Sequence, residues 1–302
     1  MPDLAYEILD VFTDTPLSGN PLAVVHDADA LGSERMQAIA GEFNLSETVF
    51  LVAAEAPGHS ARARIFTPRA EIPFAGHPTV GAAIAIARRA AAGAPDVSRM
   101  VTLEEGIGTV RCVVRGSDTE AAFAEFDLPR LPAVLDAAPP PDRVAAALGL
   151  AGHEVGFGHF PVAVADAGLP FVCVPVNGLA AIRKARPAVE RWEETFAPDH
   201  DAVYLFTAET ERPGASYHAR MFAPTHGIME DPATGSAVAA LGGVLARFGA
   251  LVEGPHEVLV EQGIEIGRPS LVRLELEVAD EGIHAARLGG HAVRVAEGTL
   301  RV

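Results

Sequence analysis

Residues 230–236, Glu-Asp-Pro-Ala-Thr-Gly-Ser (EDPATGS), open the segment that decides the fold. The stretch that follows, AVAALGGVLARFG (237–249), carries almost no polar residue. A helix that is apolar on nearly every face is buried, so we predict a central helix over 233–248. Proline is tolerated in the first helical turn, and a short polar residue before it can cap the free amides. Asp231 and Pro232 are therefore predicted to start this helix.

A second segment of the same kind lies in the first half of the chain. The stretch FAGHPTVGAAIAIA (74–87) again places a polar residue and a proline, His77 and Pro78, before an apolar run. It predicts a second buried helix over 78–89. A helix N-terminus carries a partial positive charge, which favours a nearby anion by about 0.3–1 kcal/mol. If the two helices point into one cleft, that cleft should bind a carboxylate.

The two segments belong to an internal repeat. ARARIFTP (61–68) returns as YHARMFAP (217–224), an offset of 217 − 61 = 156. Two further pairs of segments follow the same order at similar offsets: VTLEEGIGTV (101–110) with VLVEQGIEIG (258–267), and GNPLAVV (19–25) with GLPFVCV (168–174). The repeat predicts an α+β protein of two homologous, pseudo-symmetric lobes, 1–135 and 136–302, facing each other. In each lobe a curved, mostly antiparallel sheet should wrap the apolar helix. The C-terminal strands could complete the second lobe or cross back to the first.

Composition limits the partners and the location. The chain has 302 residues and a net charge of −17, which argues against nucleic acid or an anionic membrane as partner but not against a small anionic substrate. The N-terminus lacks the basic start and apolar core of a signal peptide, and no stretch approaches the roughly 20 apolar residues of a membrane helix. We therefore expect a soluble, cytoplasmic protein.

Neither metal nor cofactor chemistry is indicated by a sequence motif. The histidines show no ligand spacing, and no phosphate loop or dinucleotide fingerprint is present. Cys112 and Cys173 lie in strand-like runs without ligand spacing, and we expect them to be buried, reduced thiols. The sequence thus predicts no metal and no cofactor.

Taken together, the motifs resemble a known family. The segments GNPLAVV, NLSETVF, RIFTP with EIPFAGHPTVGAA, MFAP with GIMEDPATGSA, and EQG with IGRPS are similar to those of the PhzF-type isomerases of phenazine biosynthesis, which have the diaminopimelate epimerase superfold. The resemblance covers nearly the whole chain. It implies two similar lobes, each a barrel-like sheet around a central helix, with the active site between them. It also implies a cofactor-free isomerase, usually a homodimer, that moves a proton on a small carboxylate-bearing substrate, as trans-2,3-dihydro-3-hydroxyanthranilate isomerase does.

The resemblance assigns three catalytic residues. Glu47, in NLSET, is the implied acid/base group, and partial burial at the rim of a sheet would raise its pKa from about 4.3 toward about 6–7. Asp231 at a helix N-terminus should stay ionised and orient a substrate amine or hydroxyl. His77 should be neutral and donate one hydrogen bond. The plainer alternatives are an exposed strand-end glutamate and an aspartate that only caps its helix.

Five further residues are implied to line the pocket, with hydroxyl and backbone N–H donors for a carboxylate: Ser46, Gly76, Gly235, Ser236 and, more weakly, Asn20, which its turn alone could explain. Diaminopimelate epimerase carries a cysteine at the start of each central helix, whereas this chain has Gly76 and Asp231 there. A thiol-dependent racemase is therefore excluded, and a single base predicts a proton shift on one face of the substrate. The main alternative function is a non-catalytic small-carboxylate binding or regulatory protein.

Overall fold

A computed structural model describes residues 3–91, 98–135, 138–196, 200–279 and 282–302. The chain divides into two compact units, the first of Met1–Pro129 with Leu288–Val302 and the second of Arg130–Arg287. The expected lobe boundary after residue 135 falls just inside the second unit, and Asp136 lies outside the described residues. The long last strand, β17 (Gly282–Arg301), pairs antiparallel with β1 (Asp3–Val11), so it crosses back to the first unit.

In the first unit the described residues form a sheet and two helices. Its other strands are β2 (Asn20–Val25), β3 (Glu47–Val52), β4 (Ala61–Phe66), β5 (Glu71–Ile72), β6 (Arg99–Glu105), β7 (Gly108–Arg115) and β8 (Ala121–Asp127). Its helices are α1 (Ser33–Phe43) and α2 (Gly76–Ala91). From β1 to β4 the strands pair in chain order, β2 with β3 in parallel and the other two pairs antiparallel. β4 then pairs in parallel with β6, and β6 antiparallel with β7.

The second unit repeats this order of pairings. Its strands are β9 (Ala133–Leu135), β10 (Ala163–Asp166), β11 (Pro170–Pro175), β12 (Val203–Thr207), β13 (Tyr217–Ala223), β14 (Ile228–Asp231), β15 (Gly254–Gln262) and β16 (Ser270–Ala279). Its helices are α3 (Pro141–Ala147), α4 (Leu179–Lys184), α5 (Val189–Thr195) and α6 (Gly235–Phe248). β11 and β12 pair in parallel, as do β13 and β15, and the pairs β10–β11, β12–β13 and β15–β16 are antiparallel. The same order is what the sequence repeat leads one to expect, and duplication as its origin stays a prediction.

Each unit packs its sheet around one apolar helix. α2 is buried from Gly76 to Ala85 and contacts seven strands of its unit. α6 is buried from Ala237 to Leu245 and contacts β9, β10, β11 and β16. The α+β fold with a central apolar helix in each half is therefore confirmed. Gly81 permits this packing, because a Cβ there would lie 2.4 Å from Leu22 Cδ2, inside the fully buried core.

The predicted starts of the central helices were wrong. α6 begins at Gly235 with Thr234 as its N-cap, whereas Asp231 ends β14 and pairs with Met221. The reason is a side chain distant in sequence: Gln262 Nε2 donates to the Asp231 carbonyl (2.8 Å), and Gln262 Oε1 accepts from the Thr234 N–H (3.2 Å). In the first unit the helix begins one residue before His77, so Pro78 lies inside the first turn.

Among the residues that the structure describes, no helix combines the length and the apolar character needed to cross a membrane.

Candidate active site

Glu47 and His77 are in contact in the first unit. Glu47 is the first residue of β3, and His77 lies in the first turn of α2. His77 Nε2 is 3.3 Å from Glu47 Oε2, and the side chains are 6% and 15% exposed. The fold therefore places a carboxyl group against an imidazole at a helix N-terminus, with both side chains mostly buried.

The imidazole of His77 is neutral. Burial lowers its pKa to about 3, so the contact with Glu47 is not a salt bridge near neutral pH. A neutral ring can offer one N–H to a substrate and remain uncharged when a proton moves beside it.

Asn20 lies against one ring nitrogen of His77. It is the first residue of β2, which runs parallel to β3, and it is fully buried. Asn20 Nδ2 lies 3.4 Å from His77 Nδ1. When the amide N–H donates there, Nδ1 accepts and Nε2 holds the proton on the side of Glu47. The position of Asn20 in a turn, which could alone account for an asparagine there, is thus only part of its environment.

The remaining expected residues of the first unit adjoin this pair. Ser46 is half-buried and directly precedes Glu47, and Gly76 is the buried first residue of α2. The first-turn amides of α2 and the Ser46 hydroxyl are donors suited to a carboxylate.

The second unit holds a cluster built around Asp231. Asp231 is buried, and its Oδ2 accepts a 2.5 Å hydrogen bond from Thr234 Oγ1. Gly235 and Ser236 form the first turn of α6, the glycine buried and the serine half-buried. A carboxylate, a hydroxyl and free helix amides therefore stand within a few residues of one another.

The two units do not carry the same chemistry at matching strand positions. In the register of β12 and β13, Val203 pairs with Phe222 as Thr48 pairs with Phe66. Ala202 thus stands where the first unit has Glu47. The acid at this position occurs in the first unit alone, which suits one-base chemistry better than a symmetric two-base mechanism.

Both cysteines are buried and unreactive thiols. Cys112 and Cys173 are free and fully buried. Burial raises the pKa of Cys173 to about 12, and burial is also the largest cause that raises the pKa of Cys112. A protonated, inaccessible thiol is a poor nucleophile.

We therefore expect iodoacetamide to leave turnover unchanged in the native protein. The measurement is activity after incubation at neutral pH, with mass spectrometry to count modified thiols and the unfolded chain as positive control for alkylation. Inactivation in step with modification of either cysteine would contradict this expectation.

Three side chains of the second unit have the spacing of metal ligands but form an ion-pair network. Ligand atoms of Glu211, His218 and Glu265 lie within 4.8 Å of one another. Both ring nitrogens of His218 are already engaged, Nδ1 with Glu261 (2.8 Å) and Nε2 with Glu265 (2.9 Å). Burial alone would lower the pKa of His218, but the hydrogen bonds with these two glutamates raise it to about 9. An imidazolium is not a metal ligand.

Sequence reasoning missed Gln262, Glu105 and Arg220. The repeat carries a usable signal for the first two, since 105 + 157 = 262 aligns Glu105 with Gln262. Each contacts the threonine of its own helix-start segment, Thr79 and Thr234 respectively. Arg220 forms a two-pronged pair with Glu230, next to Asp231, at 2.8 and 2.7 Å.

A glycine beside this segment is expected to be sensitive to substitution. Gly263 has φ +79°, and a Cβ there would lie 2.5 Å from the Pro232 carbonyl oxygen and 2.4 Å from that of Arg268. Gly267 has a similar φ of +71° with open space around it. Gly267→Ala should cost about 1–3 kcal/mol for backbone strain alone, and Gly263→Ala about 1–3 kcal/mol more. Urea unfolding of both variants measures the difference, and equal losses would contradict the predicted clash.

Comparison with known proteins agrees with this architecture. The sequence model of the family described as phenazine biosynthesis-like protein (PhzC-PhzF) matches residues 9–298. An uncharacterized isomerase of Mesorhizobium japonicum is 48% identical over 300 residues, 98% of each chain. The trans-2,3-dihydro-3-hydroxyanthranilate isomerase of Pseudomonas aeruginosa is 37% identical over 297 residues, 97% of this chain and 98% of its own.

A solved structure extends the likeness to the whole fold. The phenazine biosynthesis protein of the PhzF family from Bacillus anthracis superposes with a TM-score of 0.89 at 27% identity, with all of both chains covered. With relatives of this similarity named as isomerases, the chain is an isomerase. The protein belongs to the PhzC-PhzF family of phenazine biosynthesis-like proteins.

Proposed function

We propose that this protein catalyses a cofactor-independent proton shift on a small cyclic or unsaturated carboxylate, with Glu47 as the single acid/base group. The observation that carries the proposal is the contact of Glu47 with the neutral, buried His77 at the N-terminus of α2, 3.3 Å between Oε2 and Nε2. The presence of Ala202 at the matching position of the second unit supports one base rather than two.

In the proposed reaction Glu47 acts in both directions. Its carboxylate takes a proton from a saturated ring carbon, and the C–H electron pair forms a new C=C bond. The existing double bond then shifts along the ring, and Glu47, whose acid proton exchanges with solvent in the intermediate, delivers a proton to the far end of the shifted system. Because the same group takes and gives, removal and delivery occur on one face of the substrate. The neutral N–H of His77 stabilises the charge that develops meanwhile.

The other named residues would bind and orient the substrate. Asn20 holds the tautomer of His77. We assign Asp231 to an amine or hydroxyl of the substrate, and Ser46, Gly76, Gly235 and Ser236 to its carboxylate. The presence of free helix amides in each cluster supports the assignment.

The proposed substrate class is a carboxylate like that of the Pseudomonas aeruginosa relative. The test is incubation with trans-2,3-dihydro-3-hydroxyanthranilate in D2O, followed by NMR. Isomerisation with deuterium at the accepting carbon on a single face is expected. If that compound is inert, a thermal-shift screen of small carboxylates supplies other compounds for the same exchange experiment.

The outcomes separate catalysis from simple binding. A carboxylate that raises the melting temperature without any exchange would support the binding or regulatory alternative. Deuterium on both faces would contradict the single-base mechanism.

We also propose that the protein acts as a cytoplasmic homodimer, which the family resemblance implies. Light scattering in solution tests the dimer, and a monomer at working concentrations would contradict it.

A further inference from the structure

The hydrogen bonds of Thr79 determine where a proton lies. Thr79 Oγ1 is 2.8 Å from the Ala75 carbonyl oxygen and 2.8 Å from Glu105 Oε1. A hydroxyl has one proton to donate, and a carbonyl oxygen can only accept. If the hydroxyl donates to Ala75, the second short contact is a hydrogen bond only when Glu105 carries a proton and donates it. The geometry therefore favours a neutral carboxylic acid at Glu105.

In the second unit an amide group donates the corresponding hydrogen bond to a threonine hydroxyl. Thr234 Oγ1 donates to Asp231 Oδ2 (2.5 Å) and accepts from Gln262 Nε2 (3.1 Å). Gln262 stands at the position of the repeat that Glu105 occupies in the first unit, since 105 + 157 = 262. A permanent N–H donor thus takes the role that the acid proton of Glu105 plays beside Thr79.

The surroundings of Glu105 disfavour a charge. The residue is 8% exposed, and its Oε2 is buried without a hydrogen-bond partner among the described residues. Burial raises its pKa to about 8. Three arginines on the elements packed against it bond elsewhere, Arg88 to the Thr119 carbonyl, Arg89 to Asp27 and Arg115 to Glu125. Other titratable groups there include the Cys112 thiol on β7, whose pKa burial raises, Asp127 at the end of β8, and the neutral His77 on α2.

We propose that Glu105 is a positioning residue for His77, which as a neutral acid donates to Thr79 and thereby fixes the first turn of α2. Ionisation would draw the Thr79 hydroxyl away from the Ala75 carbonyl toward Glu105. The first turn, which carries His77 two residues before Thr79, then keeps only the backbone hydrogen bond from the Thr79 N–H to the Ala75 carbonyl (3.2 Å) and loosens. The effect on activity depends on the function proposed above for His77, whereas the protonation state of Glu105 does not.

The activity test is a reciprocal exchange, Glu105→Gln and Gln262→Glu, with kcat and KM measured from pH 6 to 10. We expect wild-type kcat to fall roughly tenfold per pH unit above about pH 8, with little change in KM. Glu105→Gln should retain most activity at neutral pH and lose this alkaline fall, whereas Gln262→Glu should gain one. A Glu105→Gln protein that keeps the wild-type alkaline fall, or is inactive or unfolded at pH 7, would overturn the proposal.

A second readout needs no substrate. Because the pKa of Glu105 is raised in the folded state, its contribution to stability is present below pH 4.5 and is lost as pH rises to about 8. The melting temperature of wild type relative to Glu105→Gln should therefore decline across this window. His218 titrates near pH 9 in both proteins and cancels in the difference. A difference in melting temperature that does not change with pH would overturn the proposal that Glu105 is a neutral acid. A difference that declines with pH in a protein without isomerase activity would count only against the proposed function.

Discussion

Replacement of Glu47 by glutamine is expected to lower kcat by about 10²–10⁴-fold, the usual contribution of a positioned acid/base group. The amide has nearly the shape of the carboxyl and can keep the contact with His77 Nε2, 3.3 Å away. It cannot take a proton from carbon or return one. The loss should therefore fall on kcat, while KM changes little.

The measurements are steady-state turnover and deuterium exchange, accompanied by the melting temperature and the dissociation constant of a bound carboxylate. Glu42→Gln serves as the matched control, because Glu42 is an exposed residue of α1 in the same unit. Near wild-type turnover in a folded Glu47→Gln protein would remove Glu47 from the mechanism and, with it, the single-base assignment.

The central helices could be predicted from the sequence because each is a continuous run of apolar residues, and such a run indicates a buried helix. A segment of a dozen or more residues that is apolar on nearly every face has few alternatives to a buried helix, and both segments proved to be buried helices. The family motifs also selected Glu47 and His77 together, and these side chains are in contact, although their roles stay predictions.

What sequence reasoning missed depends on contacts between distant positions. Asp231 and Pro232 have the local pattern of a helix start, but Gln262, 31 residues away, holds this segment so that α6 begins at Gly235. Likewise the local sequence identifies Glu105 only as the polar end of a strand. Its contact with Thr79, 26 residues earlier, is visible only in the structure. Local patterns do not specify which side chain completes a turn, because that depends on strand register.

The buried guanidinium of Arg220 leads to the second large prediction. Its side chain is 1% exposed, forms the two-pronged pair with Glu230, and donates through Nη1 to the Ile182 and Ala185 carbonyl oxygens at 2.8 and 2.9 Å. The guanidinium thus joins the end of α4 to the residue before Asp231. A buried charge is tolerated only where such partners satisfy it.

Arg220→Met should therefore destabilise the protein by about 3–5 kcal/mol, because Glu230 and two carbonyl oxygens lose their donor. Arg220→Lys should recover only part of this, since an ammonium cannot bond both carboxylate oxygens and both carbonyls in the same geometry. Urea unfolding gives the free energies, and Arg89→Met is the control, because the Arg89–Asp27 pair is more than half exposed and should contribute about 0–1 kcal/mol. A loss for Arg220→Met no larger than that of the control would show that the pair does not stabilise the fold. The expected order, methionine below lysine below arginine, follows from the number of donors that each side chain brings to this one buried site.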